Sequence, residues 1–350
     1  MSAYERWLRK QCDVVESDLE AKHERMRKSA FRFLRATYFR WARTIEAVCP
    51  DLARAPRVAC VGDIHIENFG TWRDADARLV WGVNDYDESA VMPYAYDLVR
   101  LVTSILLAPG HQITAARAAT AVLGGYRSGL SNPVAALLDE NAGWLRSFAN
   151  PSEEESRSFW KDIDVLPEAD PPAQVRKELR KSLPVGAADL RFASRTAGGG
   201  SLGRPRFVAV ANWNSGRVVR EAKAFVPSAW GWAHDRASRR PWFVDLADGS
   251  FRSPDPLMHI EGDFMFRRIA PDARKIDFKG VHAQELSTRL LEAMGADLAA
   301  VHASDPRSTL IAGDLTARKR GWLARAAEAG RHATQRDFEA YTSRPAPGSN

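Results

Sequence analysis

Residues 57–70 read RVACVGDIHIENFG, and the rest of the chain is best understood from this stretch. Its first half is a short apolar run that ends at Gly62, which is typical of a buried strand. Its second half is polar, so the side chains of Asp63, His65 and Asn68 follow the end of that strand. Ligand sites of α/β enzymes favour such positions. The stretch therefore predicts a functional loop directly after a buried strand.

The loop has the residue spacing of phosphoryl-transfer enzymes of the kinase type. In those enzymes an Asp orients and deprotonates the acceptor hydroxyl, and an Asn five residues later holds a metal ion. We therefore predict that Asp63 and His65 are catalytic, with His65 bracing the loop, and that Asn68 is a metal ligand. The alternative is a polar turn in which Asp63 caps a backbone amide.

A second acidic segment, NDYDE at 84–88, follows another apolar run at 79–83. Its three carboxylates repel one another unless a positive charge lies between them. A divalent ion such as Mg²⁺, which prefers oxygen ligands, is the usual solution. We predict that Asp85 binds the metal as the Asp of a kinase DFG segment does, with Asp87 as a further ligand. A solvated acidic turn is the alternative.

A glycine-rich segment, GGGSLG at 198–203, lies between two predicted strands, and Lys223 follows in the next strand but one. Glycines let backbone amides approach phosphate oxygens closely. Kinases cover nucleotide phosphates with such a loop and pair them with a Lys on a neighbouring strand. The predicted nucleotide-binding residues are Gly198, Gly199, Gly200, Ser201, Gly203 and Lys223.

Lys223 lies in the apolar string EAKAF at 221–225, and a buried Lys needs a partner. The sequence offers no clear acidic partner, and Glu221, Glu261 and Glu285 are the candidates. A third motif, PYAYDLVR at 93–100, begins an apolar helix, and we predict that Asp97 caps that helix and supports the catalytic loop from behind.

The flanking segments give a coarse order of helical, mixed, β-rich and helical. Helices are predicted over 1–48, 93–107, 113–128 and from 283 onward, and a loop over 68–78. Strands are predicted over 190–195, 206–211, 218–225, 242–246 and 264–269, with a hairpin turn at 212–216. Residues 150–184 are rich in Pro and charge and predict a linker or a lightly packed helical segment.

Composition limits the class of protein. The 350 residues carry a net charge of +6 and are 45% apolar, which excludes wholesale disorder. No run of ~18 apolar residues is present to span a membrane, and three cysteines without a CxxC pair predict reduced thiols. These features predict a cytoplasmic protein with no membrane partner. Forty of the 50 basic residues are Arg, but no like-charged block is long enough for a nucleic-acid arm.

The strings GDIHIENFG, NDYDES and PYAYDLVRL resemble an uncharacterised bacterial family known as domain of unknown function 2252 (DUF2252). GGGSLG and EAKAF look like the glycine-rich element and the following strand of that family, and the resemblance covers about residues 26–305. The same strings are similar to elements of aminoglycoside and choline phosphotransferases. The chain departs from the family pattern at two points. Ala36 follows Arg35 where the family has Gly, and Lys223 has no clear acidic partner in the sequence.

The resemblance implies an α+β, two-lobed protein kinase-like fold. Because the catalytic-type loop precedes the glycine-rich segment, the order is circularly permuted. Residues 1–149 and 271–343 would form a larger helical lobe, and 188–270 a small antiparallel β lobe. Residues 150–187 would be a linker or helical excursion, and 344–350 a disordered tail.

The implied activity is an ATP- and Mg-dependent phosphotransferase whose phosphate acceptor is unknown. Arg267 and Arg268 are further candidates for phosphate or acceptor contact. The alternatives are a nucleotide-binding pseudokinase or an AMP-transferring enzyme, and a metallophosphoesterase whose metal binds Asp63 and His65. A non-enzymatic nucleic-acid-binding protein is the remaining alternative, because positive charge and 11 Trp permit stacking on bases.

Overall fold

A computed structural model of the chain describes residues 1–110, 113–146, 151–235, 242–273 and 288–344, and the fold is mixed α+β. The first helices are α1 Ser2–Leu8, α2 Glu16–Met26, α3 Ala30–Ala36, α4 Tyr38–Val48, α5 Tyr94–Leu107 and α6 Ala115–Ser131. They are followed by α7 Glu153–Asp164, α8 Ala173–Lys181, α9 Ala229–Ala233, α10 Trp242–Ala247, α11 Thr288–Ala303, α12 Ile311–Ala317 and α13 Trp322–Thr342. The helical prediction for residues 1–48 is confirmed.

The strands form three antiparallel sheets. Their bounds are β1 Arg57–Cys60, β2 Phe69–Arg73, β3 Leu79–Val83, β4 Ala90–Pro93, β5 Ala136–Leu137, β6 Ala188–Ser194, β7 Arg206–Trp213, β8 Gly216–Ala224, β9 His259–Glu261 and β10 Phe264–Ile269. β1 pairs with β4, and β2, β3 and β5 form a second sheet. The third sheet has five strands in the order β6-β7-β8-β10-β9. The hairpin at 212–216 is confirmed, because Trp213 pairs with Gly216 across Asn214 and Ser215, which both have positive φ.

Helix α5 lies at the centre of the largest apolar core. Every residue from 94 to 105 is buried, so this helix is surrounded on all sides by protein. Such burial explains why most of its residues are apolar, and it means that its few polar side chains need partners inside the protein. The helix is also placed to support the chain that follows β1.

Helices α6 and α11 approach each other unusually closely because glycines lie between them. A Cβ atom on Gly125 would lie 1.8 Å from the carbonyl oxygen of Glu292, and one on Gly295 would lie 2.1 Å from that of Val122. No larger residue fits at either position without moving a backbone. Gly124 and Gly125, which weaken a helix by propensity alone, therefore lie in a helix that needs at least one of them for packing.

The five-stranded sheet is covered on both faces by the helices that precede it. Ile163 of α7 packs on Val208 and Val210, whereas Leu179 of α8 packs on Ala209. Because successive side chains of a strand point to opposite faces, the two helices cover opposite sides. The Pro-rich and charged segment at 150–184 thus includes two helices that pack on this sheet.

Two sequence predictions of local structure are wrong. The predicted loop at 68–78 contains strand β2, which pairs with β3 from Phe69 opposite Val83 to Arg73 opposite Leu79. The predicted strand at 242–246 is helix α10. Its apolar run is too short to distinguish the two structures by periodicity, and the helix places Phe243, Leu246 and Ala247 in the interior together.

The helix predicted from 283 is described from Thr288, and residues 283–287 and the predicted disordered tail lie outside the described residues, apart from Arg344. Cys12, Cys49 and Cys60 are free thiols. Among the helices that the structure describes, none has both the length and the apolar character needed to cross a membrane.

Candidate functional site

The chain makes a sharp turn after β1, and Gly62 is required for it. Its φ is +80°, and a Cβ atom there would lie 2.3 Å from the carbonyl oxygen of Glu88. The loop continues through Asp63 into the short 3-10 helix Ile66–Asn68. The end of the apolar run at Gly62 therefore marks a tight turn next to the acidic segment at 84–88.

Helix α5 holds this loop through three polar side chains on one face. The Asp97 carboxylate accepts hydrogen bonds from the amides of Val61 at 2.7 Å and Gly62 at 3.0 Å. Arg100 donates from Nε to Asp63 Oδ1 at 3.1 Å and also from Nη2 to the same atom. The Ser104 hydroxyl accepts from the amide of Ile66 at 2.9 Å. Residues three and four apart on a helix share a face, which explains this spacing.

Asp97 does not cap its own helix, which corrects one prediction. The N-cap of α5 is Pro93, and no side chain caps that end. Asp97 lies within the first turn, where its carboxylate accepts hydrogen bonds from amides of the loop after β1. Asp97 does support the loop after β1, as predicted, but it does so by accepting hydrogen bonds from the amides of that loop.

A buried hydrogen-bonded chain extends behind Asp97. His302 Nε2 lies 3.1 Å from Asp97 Oδ2, and His302 Nδ1 lies 2.8 Å from the Tyr126 hydroxyl. Among the described residues, Cys60, Asp97 and His302 also form a group whose ligand atoms lie within 4.8 Å of one another. Each of these groups already has a hydrogen-bond partner in the protein, with the Cys60 thiol donating to the Met92 carbonyl oxygen. The cluster is therefore a structural brace.

Asp63 is half-buried, with 18% of its side chain exposed, and it is paired. Burial raises the pKa of its carboxyl above the ordinary value, although the neighbouring Arg100 guanidinium acts in the opposite direction. Arg100 itself is completely buried, and its Nη2 also donates to the Leu34 carbonyl oxygen at 2.9 Å. The pair fixes one oxygen of Asp63, and the other, Oδ2, faces Gly200 of the glycine-rich segment.

Asn68 joins the two acidic segments. Its Nδ2 donates to the carbonyl oxygens of Asp63 and Asp85, both at 3.1 Å. Its Oδ1 is buried and has no hydrogen-bond partner among the described residues. A buried amide oxygen without a partner is costly, and a cation at this position would satisfy it.

The acidic partner of Lys223 is Asp87, which corrects the three candidates from sequence. Lys223 Nζ donates to Asp87 Oδ2 and lies 3.7 Å from Asp85 Oδ1. Glu221 is engaged by arginines, and Glu261 is exposed on strand β9, whereas Lys223 is buried. Glu285 lies outside the described residues. Burial lowers the pKa of the Lys223 ammonium, and the two Asp carboxylates oppose that effect.

A second cation, Arg204, follows the glycine-rich segment and is also buried. It donates to Asp87 Oδ2 at 3.3 Å and to Glu88 Oε1 at 2.7 Å. Burial raises the pKa of Glu88 despite this contact. The other Glu88 oxygen accepts from the Ala229 amide at 2.6 Å. The carboxylates at 84–88 are thus separated by buried cations of the protein itself.

The glycine-rich segment lies over Asp63. A Cβ atom on Gly200 would lie 2.9 Å from the Arg35 carbonyl oxygen and 3.1 Å from Asp63 Oδ2, so a bare backbone is required there. Ser201 Oγ accepts a hydrogen bond from Arg206 on β7. Gly203 faces Leu19 of α2 and not the loop after β1.

Helix α2 holds the glycine-rich segment on its outer side. Lys22 Nζ donates to the Gly200 carbonyl oxygen at 2.6 Å, and Arg25 donates to that of Gly198 at 3.2 Å. Lys22 is almost fully buried, and this burial lowers the pKa of its ammonium to about 8.

The lowered pKa of Lys22 predicts that the stability of the protein depends on pH. Because the folded pKa lies below 10.5, the unfolded chain binds the Lys22 proton more tightly, so the free energy of unfolding rises as the pH rises from about 8 to 10.5. We expect the difference in unfolding free energy between wild type and Lys22→Met to change by about 3 kcal/mol over that interval. Urea unfolding at a series of pH values measures it. Exposed Lys28→Met is the control, and parallel curves for wild type and Lys22→Met would contradict the assignment.

Nine of the eleven predicted site residues line one small cavity of about 40 Å³: Asp63, His65, Asn68, Asp85, Asp87, Gly198, Gly199, Gly200 and Ser201. Lys223 lies beneath it, bonded to Asp87. A larger cavity of about 550 Å³ adjoins the small one, and both are lined by Arg35, Asp85 and Gly198. Its volume is within the range of ~300–1,000 Å³ that is usual for small-molecule sites.

Four polar residues of this site were not identified from sequence: Arg35, Arg100, Ser104 and Arg204. Arg35 donates to Glu67 of the loop after β1 and lies next to Gly199. Arg100 gave a usable signal, since a charge within the apolar helix at 94–107 requires a buried partner. The other three have no distinctive sequence context.

Residues 14–145 match the model of a family described as an uncharacterized protein conserved in bacteria (DUF2252). The DUF2252 resemblance is therefore confirmed over those residues, which include the catalytic-type loop, the acidic segment at 84–88 and α5. The glycine-rich segment and Lys223 lie outside the matched residues. No curated protein and no solved structure matches this chain.

Proposed function

We propose that this protein is an ATP- and Mg-dependent phosphotransferase with a circularly permuted, two-lobed kinase-like fold. The observation that carries the proposal is the meeting of four distant segments at one small cavity. The loop at 63–68, the acidic segment at 84–88, the glycine-rich segment at 198–203 and the strand that carries Lys223 lie together there. These are the parts that kinase-type phosphoryl transfer requires.

The donor atoms at the cavity are suited to magnesium. Asn68 Oδ1 and Asp87 Oδ1 are both buried without hydrogen-bond partners among the described residues, and Asp85 lies beside them. Mg²⁺ prefers carboxylate and amide oxygens. Asn68, Asp85 and Asp87 would hold it, and the ion would neutralise charge on the transferred phosphoryl group.

The residues of the chain then have separate roles. The acceptor hydroxyl gives its proton to the Asp63 carboxylate as its oxygen bonds to the γ-phosphorus of ATP, and the bond from that phosphorus to ADP breaks. Arg100 keeps Asp63 in position through Oδ1. His65, which is buried at the start of the 3-10 helix, shapes the loop. Backbone amides of Gly198–Ser201 would face the phosphates. Lys223 would support the acidic segment through Asp87, and Gly203 would end the glycine-rich segment against α2.

Product analysis tests the proposal without knowledge of the acceptor, because water can take its place slowly. Incubation of the protein with ATP and Mg²⁺ should yield ADP and phosphate. AMP and pyrophosphate would instead indicate the AMP-transferring alternative. Bound ATP without any product would indicate a pseudokinase. Either of these last results would contradict phosphoryl transfer.

The metallophosphoesterase alternative lacks support from the geometry. Its metal would need further His ligands near Asp63 and His65. Within the described ranges, the one group of three potential His, Cys, Asp or Glu ligands is the brace around Asp97. We therefore retain the kinase-like proposal over this one.

A further inference from the structure

Three guanidinium groups converge on one carboxylate in the wall of the larger cavity. Glu221 of β8 is completely buried. Its Oε1 accepts from Arg206 Nη1 at 3.1 Å and from Arg267 Nε and Nη2 at 3.0 and 2.6 Å. Its Oε2 accepts from Arg195 Nη1 at 2.5 Å. All three arginines also line the cavity.

Strand register brings these residues together. Glu221 lies directly opposite Val208 of β7 and Arg267 of β10. Arg206 is two residues from Val208 and therefore lies on the same face of the sheet. Arg195 follows β6, and its amide donates to the Arg206 carbonyl oxygen at 3.1 Å. Helix α7 covers the apolar part of this face, and the charged part borders the cavity.

The Glu221 carboxyl is held in its charged form by these contacts, and arginine side chains keep their charge in proteins. Burial acts to raise the pKa of Glu221, but Arg267, Arg206 and Arg195 hold it well below the usual range. Burial acts to lower the pKa of Arg267, and Glu221 nevertheless raises it. One carboxylate against three guanidinium groups leaves two positive charges in excess.

The other arginines of the cavity do not contribute such an excess. Arg35 pairs with Glu67, Arg252 with Asp297 and Arg268 with Asp255. Their charges are each matched by a separate carboxylate.

The small cavity, which shares Asp85 with the larger one, is acidic, because the carboxylates of Asp85, Asp87 and Glu88 outnumber the two cations Lys223 and Arg204. Asp162 and Glu155 of α7 add negative charge to another part of the lining. The charge of the cavity is therefore positive around Glu221 and negative at the loop that carries Asp85. A complex of Mg²⁺ with a polyanion fits this arrangement, because the metal ion would face the carboxylates and the polyanion would face the arginines.

Arg206 has capacity for a further acceptor. Its Nε is buried and has no hydrogen-bond partner among the residues that the structure describes. Its Nη2 reaches Ser201, which ties the arginine cluster to the glycine-rich segment. A phosphate oxygen beside Arg206 would satisfy the remaining donor.

We infer that Arg195, Arg206 and Arg267 form an anion-binding site for the polyphosphate chain of a nucleoside triphosphate. The nucleotide part of this inference rests on the proposed function. The cluster would supply the positive charge at the phosphates, while Lys223 remains bound to Asp87. The ligand is held by non-covalent contacts alone.

Titration calorimetry with ATP and with inorganic tripolyphosphate, at a fixed Mg²⁺ concentration, tests the site. We expect Arg195→Gln and Arg267→Gln each to weaken the binding of both ligands about tenfold or more, as the loss of a charged hydrogen bond predicts. Arg191→Gln is the matched control, because Arg191 lies in β6 and donates to the carbonyl oxygens of Ile163 and Leu166. Its affinities should equal those of wild type.

The outcomes separate this inference from the proposed function. ATP binding that is the same in wild type and both variants would overturn the arginine site and leave the proposed function standing. Tripolyphosphate binding that depends on Arg195 and Arg267, without ATP binding, would support the site and overturn the nucleotide. If neither ATP nor tripolyphosphate binds, both the arginine site and the proposed function are overturned. Arg195 donates one hydrogen bond to Glu221 and Arg267 donates two, so Arg195→Gln is the milder change and decides the result if Arg267→Gln fails to fold.

Discussion

Replacement of Asp63 by Asn is expected to reduce ATP turnover about 10²- to 10⁴-fold, which is the usual contribution of a general base. ATP binding should change little, because Asp63 would act on the acceptor and not on the nucleotide. The amide oxygen of the replacement can still accept a hydrogen bond from Arg100. ADP formation with water as acceptor measures the turnover, and calorimetry measures the affinity.

The matched control is Asp76→Asn, an exposed carboxylate in the turn between β2 and β3. Thermal unfolding of both variants establishes that they are folded at the assay temperature. Equal turnover by Asp63→Asn and wild type would contradict the role of Asp63. A parallel loss of turnover in Asp76→Asn would show that the assay does not report on this site.

Replacement of Asp97 by Ala should destabilise the protein by about 3–5 kcal/mol. Asp97 is completely buried, and the change would leave the amides of Val61 and Gly62 and the ring nitrogen of His302 without their acceptor. Small domains have total stabilities of about 5–15 kcal/mol, so this loss would be large. Urea unfolding monitored by circular dichroism gives the value.

The exposed Asp76→Ala change provides the reference, with an expected effect within about 0.5 kcal/mol. A loss below about 1 kcal/mol for Asp97→Ala would contradict the view that Asp97 organises the turn after β1. Because Asp97 touches only the backbone of that turn, reduced ATP affinity in this variant would reflect a displaced loop.

Parts of the fold were predictable because their signal is local. The apolar runs at 57–62 and 79–83 are strands, and the apolar stretch after Pro93 is a helix. The turn at 212–216 was predictable because Asn, Ser and Gly tolerate the backbone that a tight hairpin requires. Site residues at fixed spacing, such as Asp63 and Asn68, could be singled out for the same reason.

Other features depend on contacts that no local pattern contains. Lys223 and Asp87 are 136 residues apart, and their pairing follows from the docking of the five-stranded sheet on the acidic segment. The role of Gly125 depends on the approach of α11. The short apolar run at 242–246 became a helix because three of its residues reach the interior in that form. Tertiary packing decided each case.

The central claim is a magnesium-dependent nucleotide site where the loop at 63–68, the acidic segment at 84–88 and the glycine-rich segment at 198–203 meet. Thermal unfolding with ATP and Mg²⁺ is its most direct test. ATP at ~100 times its dissociation constant should stabilise the wild type by about 2.7 kcal/mol, a rise in Tm of about 4 °C. We predict that the rise requires Mg²⁺ and disappears in Asp85→Asn and Lys223→Ala. No rise at millimolar ATP, or an equal rise in EDTA and in both variants, would contradict the account.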